Sequence, residues 1–132
     1  MRWLYFFGLY FLQLAVSFPS FSASCHGAHD PAAVAIWLLH HWTDVFLFWG
    51  FLFATSRGEY MLHLLFLVIA LAHWSTYKNR CIATVVLNRY CGWPEDQWLD
   101  SLLNRSGLRS RSDYWQFLWL GLLACNDVVH LV

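Results

Sequence analysis

Apolar residues fill four stretches of the chain almost without interruption, and the polar ones gather between them. No formal charge occurs from Trp3 to His29, Pro31 to Thr43, Val45 to Ser56, Tyr60 to Tyr77 or Tyr114 to Asn126. A helix needs about 20 apolar residues to cross a hydrocarbon layer of roughly 30 Å, and about 17 to 25 are tolerated. The pattern predicts membrane helices over about 3–18, 32–54, 60–76 and 114–132. Pro19 marks the end of the first. Pro31 opens the second, because a proline in the first helical turn lacks only an N–H that would be unpaired there. Gly58 suits the turn between the second and third. Trp3, Tyr60, Trp74, Tyr77, Tyr114 and Trp115 fall near helix ends, where an interfacial aromatic belt belongs.

Composition narrows the class. The 132 residues are 59% hydrophobic and 12% charged, against about 25% charged in soluble domains. Too little polar surface remains to coat a bundle in water. The expected fold is all-α: one polytopic transmembrane helical bundle over residues 1–132, with the lipid bilayer as its first partner. Eight Lys+Arg balance eight Asp+Glu, so no basic field exists to hold nucleic acid.

The first segment has a second reading. Arg2, the apolar run Leu4 to Val16 and the small residues around Ser20–Ser24 also fit a cleavable signal peptide. Four crossings place the loop from Pro19 to Asp30 and the segment from Ser75 to Asp113 on one side, face A. The amino terminus, the turn Thr55 to Glu59 and the carboxyl terminus share face B. Face A carries Lys78, Arg80, Arg89, Arg105, Arg109 and Arg111, against Arg2 and Arg57 on face B, which puts face A on the cytoplasmic or matrix side by the positive-inside rule. A cleaved signal would send it outward instead.

Between the third and fourth membrane helices, about 80–106 reads as interfacial. Ile82, Val85, Val86 and Tyr90 keep helical spacing, as though the third helix ran on past Lys78. Pro94, Glu95 and Asp96 then start a short amphipathic helix with Trp98, Leu99, Leu102 and Leu103 on one stripe and Gly107 as its stop.

Polar residues inside apolar helices are the functional candidates, since each raises the cost of insertion. An Asp at a helix centre costs about 2.5–3.5 kcal/mol, which the eleven Leu, Ile, Phe and Val residues from Val34 to Phe53 offset by about 3–7 kcal/mol. Asp44 should therefore face protein, with His40 and His41 one helical turn before it. His40, His41, Asp44 and His73 form a candidate cofactor set, for haem or a quinone. The depths count against a bis-histidine haem, because His40 lies roughly 12 Å in from face A and His73 only about 4–5 Å. Arg57, Glu59, His63, Asn126, Asp127 and His130 gather as a polar cluster at face B.

Cys25, His26, His29, Cys81 and Cys91 all fall on face A and form a candidate metal set. Free thiols, or one disulfide if face A is oxidising, are the alternative. No CxxC, GxSxG, P-loop, HExxH or dinucleotide fingerprint is present, so no enzyme class is indicated.

Cys81, Thr84, Asn88 and Arg89 resemble part of a motif in a family of small four-helix membrane proteins of unknown function. That family places Cys-Pro-Leu-Thr-x-x-Glu-Asn after a helix bearing His and Trp, for which His63 and Trp74 stand here. Ile82 and Leu87 replace the family's proline and glutamate. The resemblance implies a four-pass architecture and no activity. On the residues alone, Cys81, Thr84 and Asn88 share a helix face suited to packing. The expected function is non-catalytic, a packing or assembly subunit of a larger membrane complex with other membrane subunits as partners. The alternatives are a haem- or quinone-binding anchor of a redox complex, and a proton or ion pathway along His40, His41 and Asp44.

Overall fold

The first helix does not stop at its proline. A computed structural model of the chain describes residues 2–76, 81–94 and 113–132, and in it α1 runs from Trp3 to Ser24 with Pro19 inside. A proline removes one helical N–H, but in an apolar medium no conformation other than a helix satisfies so many backbone groups within the segment. Ser22 Oγ and Ser24 Oγ donate to the carbonyls of Pro19 and Ser20 at 3.3 and 2.6 Å, which helps to hold the last turn.

α2 spans Pro31–Trp49 and continues as a 3-10 turn over Gly50–Leu52. Asp30 caps it, its carboxylate accepting from Ala32 N at 2.8 Å. α3, Arg57–Thr76, starts with a reciprocal cap. Glu59 Oε2 accepts from Thr55 N and Ser56 N at 2.8 and 3.1 Å, and Ser56 Oγ accepts from Glu59 N at 3.3 Å. α4 covers Ile82–Cys91 and α5 Asp113–Leu131. α4 is a helix of its own, not a continuation of α3, because Cys81 is extended (φ −74°, ψ 130°). Gly92, at φ 68°, ends α4 in the left-handed region that glycine enters without steric cost. The amphipathic stretch expected after Pro94 lies outside the described residues.

Burial runs opposite to that of a water-soluble bundle. α1 buries Gln13 and Ser17 beside Phe6 and Phe21, and turns Leu4, Tyr5, Phe7, Phe11, Leu12 and Phe18 outward. α3 buries His63 with Leu67, Ala70 and Trp74, and exposes Met61, Leu62, Leu65, Val68 and Ile69. Polar groups inside and apolar groups outside suit lipid as the solvent. Three helices are long and apolar enough to cross a membrane, over Trp3–Ser24, Pro31–Leu52 and Arg57–Thr76; Phe117–Leu131 is a shorter apolar stretch.

Because lipid tails are as apolar as leucine, packing rather than expulsion from water holds such helices together. Phe6 packs with Val45 and Phe46 where α1 begins, against the last turns of α2. Leu47 and Phe48 of α2 meet Leu67, Ala70 and Trp74 of α3 and Leu120 and Leu123 of α5. At the other end, Ala33 and Trp37 of α2 meet Leu87 and Cys91 of α4 and Phe21 of α1, with Phe21 stacked on Trp37 at 4.9 Å. α3 and α4 thus lie one after the other along α2.

A disulfide joins Cys25, just after α1, to Cys91 at the end of α4. Around it His26 N donates to Cys91 O at 3.3 Å, and Trp93 Nε1 donates to Ser24 O at 2.8 Å. Gly27 permits this approach, since a Cβ there would stand 2.7 Å from the Tyr90 carbonyl oxygen.

Candidate functional site

α2 distributes its polar residues over two faces. His40 and Asp44, four residues apart, lie about 40° from each other around the helix axis, and His41 is turned about 100° from His40. His41 therefore meets α1, His40 looks toward α3 and α4, and Asp44 stands between them, reached by Gln13 of α1 and bordering the other side.

On the α1 side the partners are Gln13 and Ser17. Ser17 Oγ lies 2.8 Å from His41 Nε2, and Gln13 Nε2 lies 3.2 Å from His41 Nδ1 and 2.6 Å from Asp44 Oδ2. The amide nitrogen has two hydrogens and donates to both acceptors. His41 Nδ1 then accepts, so the ring is neutral with its proton on Nε2, donated to Ser17 Oγ. His41, Gln13 and Ser17 are 0%, 1% and 2% exposed, about 15 Å from the outer end of α2. An unpaired polar group at that depth costs several kcal/mol; here the three side chains satisfy one another. Sequence reading missed Gln13 and Ser17. Their signal was an amide and a hydroxyl four residues apart in an otherwise greasy helix.

On the opposite side is a cavity of about 210 Å³. His40, Thr43 and Asp44 of α2, His73 of α3, Cys81 before α4 and the rings of Phe48, Phe66 and Trp74 border it, and its wall is almost wholly apolar. Ile82 N donates to His73 Nε2 at 3.1 Å, so α3 caps the start of α4 and the neutral His73 ring carries its proton on Nδ1. Thr43 Oγ1 donates to the His40 carbonyl at 2.8 Å, and Thr84 Oγ1 stands 3.5 Å from His40 Nδ1.

Three of the four candidate cofactor residues, His40, Asp44 and His73, thus meet in one cavity, and His41 is turned away from it. The mismatch in depth between His40 and His73 is absorbed because α4, not α3, covers the outer half of α2. A bis-histidine haem does not fit this arrangement. His73 Nε2 is engaged by Ile82 N–H, and 210 Å³ falls below the ~300–1,000 Å³ that encloses even a drug-sized ligand.

The candidate metal set is also corrected. Cys25 and Cys91 form the disulfide and offer no thiolate; Cys81 and Cys125 remain thiols. Cys81 stands a whole helix away from Cys91, about 15 Å, and His26 and His29 are exposed on the loop before α2. Among the described residues no group of three or more His, Cys, Asp or Glu is placed to hold a metal ion.

The face B cluster separates into three devices. Glu59 caps α3. His130 stacks on Tyr60 at 4.6 Å, and Arg57 is exposed and Asn126 half-buried. His63 and Asp127, both fully buried, form a pair at 2.6 Å. His63 Nε2 lies 3.2 Å from the Leu47 carbonyl, which can only accept, so Nε2 carries a hydrogen. One further proton must then lie between Nδ1 and the carboxyl, because a bare imidazole nitrogen and a carboxylate would repel each other at 2.6 Å. Whichever partner holds it, the pair has no net charge. Gly50 makes room, as a Cβ there would meet His63 Cδ2 at 2.7 Å.

Of the motif residues, Cys81 borders the cavity and Thr84 reaches His40. Asn88 is buried and donates through Nδ2 to Pro94 O at 2.9 Å, and Arg89 is exposed. No protein-family model, no curated protein and no solved structure matches the chain.

Proposed function

We propose that the chain is a multi-pass membrane protein, with α5 as its fourth crossing, whose non-catalytic task is to hold a small, mostly apolar molecule drawn from the bilayer. The observation that carries this is the cavity of about 210 Å³ between α2, α3 and the start of α4, walled almost wholly by apolar surface. A subunit that served only for packing would be expected to fill such a void with side chains, as packed protein interiors do. An ion pathway is less favoured, because the Asp44–Gln13–His41 chain ends at Ser17, which is buried.

The disulfide supports an orientation opposite to the one the basic residues suggest. Cys25 and Cys91 sit on face A, and disulfides persist in oxidising compartments such as the periplasm or the secretory lumen. We place face A there, with both termini on the cytosolic side. α1 supplies the partners of His41 and half of the disulfide's surroundings, which supports a retained first helix over a cleaved signal.

The test is to purify the protein in mild detergent, extract it with organic solvent and identify what is released by mass spectrometry. Ile69→Trp, which plugs the flank of the cavity, serves as the reference. A stoichiometric, mostly apolar molecule that is lost in Ile69→Trp supports the reading. Identical extracts from both proteins refute it.

A further inference from the structure

Resting on this ligand-binding reading, we infer that the guest is a long-chain fatty acid of the face B leaflet, with its carboxylate at Arg57 and the end of its tail in the cavity between α2 and α3. The cavity determines which part of the guest it takes. Thr43 Oγ1 donates to the His40 carbonyl, His73 Nε2 accepts from Ile82 N, and Asp44 Oδ2 accepts from Gln13, so these polar groups at its border are turned to other protein groups. An oxygen carried in among walls almost wholly apolar would lose its water partners without replacement. Hydrocarbon loses nothing. An apolar cavity of about 150 Å³ holds the six carbons of benzene, so 210 Å³ has room for about eight carbons, the end of one tail and not a whole lipid.

Depth agrees. The α2 lining, His40 to Phe48, lies about 6–18 Å from Leu52 at the face B end, and the α3 lining, Phe66 to Trp74, about 13–26 Å from Arg57. The two overlap at about 15 Å, the middle of a hydrocarbon layer of roughly 30 Å, where lipid tails end. Ile69 sits near this depth, 56% exposed on the outer surface of α3, and opens the cavity sideways to lipid. A ridge leads to that mouth from face B. Arg57, Met61, Leu65 and Ile69 follow one another at steps of four residues, each about 40° further round α3, and all four are exposed. Met61, Leu65 and Ile69 offer an apolar track about 12 Å long, and Arg57 stands at its head, where hydrocarbon gives way to water. The acid nearest in sequence, Glu59, is turned to the N–H groups of Thr55 and Ser56. A guanidinium matches a carboxylate with two parallel hydrogen bonds. One guanidinium, one track and room for one tail fit a single chain with an acid head.

Binding to the full chain in phosphatidylcholine nanodiscs tests this, read by native mass spectrometry with the probes at equal mole fraction in the bilayer. The probes are hexadecanoate, decanoate, hexadecanol and phosphatidylglycerol. The expected result is one hexadecanoate per chain. Decanoate should be at least tenfold weaker, because a tail that short, held at Arg57, stops before the cavity, and hexadecanol at least fivefold weaker. Arg57→Gln should bring hexadecanoate down to the level of hexadecanol and leave hexadecanol unchanged. Ile69→Trp, which leaves Arg57 in place, should weaken both. Hexadecanol or decanoate bound as tightly as hexadecanoate overturns the fatty acid and leaves the ligand-binding reading standing. Phosphatidylglycerol that displaces hexadecanoate overturns the single chain in the same way. Binding of no probe, by a protein whose Cys25–Cys91 bond is intact, overturns both. If Ile69→Trp does not accumulate, the ratio of hexadecanoate to decanoate in the unaltered chain and its loss in Arg57→Gln decide.

Discussion

Replacing both Cys25 and Cys91 by serine should release α4 and leave the rest of the bundle assembled. The bond closes a loop of 66 residues, which in the chain-entropy account corresponds to about 4 kcal/mol against a fully unfolded chain. In a bilayer α1, α2 and α3 stay inserted. The segment actually set free is then the run of 15 positions from Thr76 to Cys91, for which the same account gives about 3 kcal/mol. At 1.4 kcal/mol per tenfold, α4 should undock roughly a hundred times more often. The hydrogen bond from Ile82 N to His73 and the packing of Leu87 on Trp37 remain to oppose it. Hydrogen exchange in detergent, read by mass spectrometry on peptides covering Ile82–Cys91, measures this directly. Protection there should fall by about two orders of magnitude, while peptides from the α1–α2 contact keep theirs. Unchanged protection of α4 would refute the account of the bond as the clasp of that helix. Loss of protection throughout would show that α4 is no separate unit.

The remaining expectations concern the interior and the orientation. His63→Ala strands the buried Asp127 carboxyl and should cost about 3–5 kcal/mol, seen as a shift in the denaturation midpoint in mixed micelles; His63→Ala with Asp127→Leu should recover much of it. Gly50→Ala drives a Cβ to 2.7 Å from His63 Cδ2 and should cost about 1–3 kcal/mol by overpacking. A loss no larger than that of Gly121→Ala, where a Cβ meets nothing within 4 Å, would contradict the fit. Gln13→Leu removes the donor to both His41 and Asp44 and should destabilise by about 1–3 kcal/mol in the same denaturation assay, whereas Leu12→Gln on the outward face should impair insertion instead. A fluorescent reporter fused after Val132 should light up on the cytosolic side; a reporter found only outside would reverse the orientation proposed from the disulfide.

How much of this was legible from the residues depended on whether lipid or a distant partner decided it. The long charge-free runs located the long helices but not all of their ends, since α1 runs on to Ser24 and α2 stops at Trp49 before its 3-10 turn. Pro19 misled, since a proline that ends helices in water is retained where the backbone has no alternative. Asp44 facing protein followed from its insertion cost. That Gln13 would be the partner did not, because the pairing joins positions 31 residues apart in sequence and depends on how α1 rotates. Cys81, Thr84 and Asn88 keep helical spacing, yet the chain is extended at Cys81. Spacing reports which residues share a face and is silent on where a helix is cut. Which two cysteines pair was equally hidden, because the choice depends on α4 folding back toward the loop before α2.

The His63–Asp127 pair also sets an order of manufacture. His41 finds Gln13 and Ser17 as soon as the first hairpin has entered the membrane, since both are already in place. His63 must wait for a residue 64 positions further along, so the nascent protein carries a half-made polar contact until its last described helix arrives. A chain stalled before that point would hold the His63 ring only by the Leu47 carbonyl, with its other nitrogen waiting for Asp127.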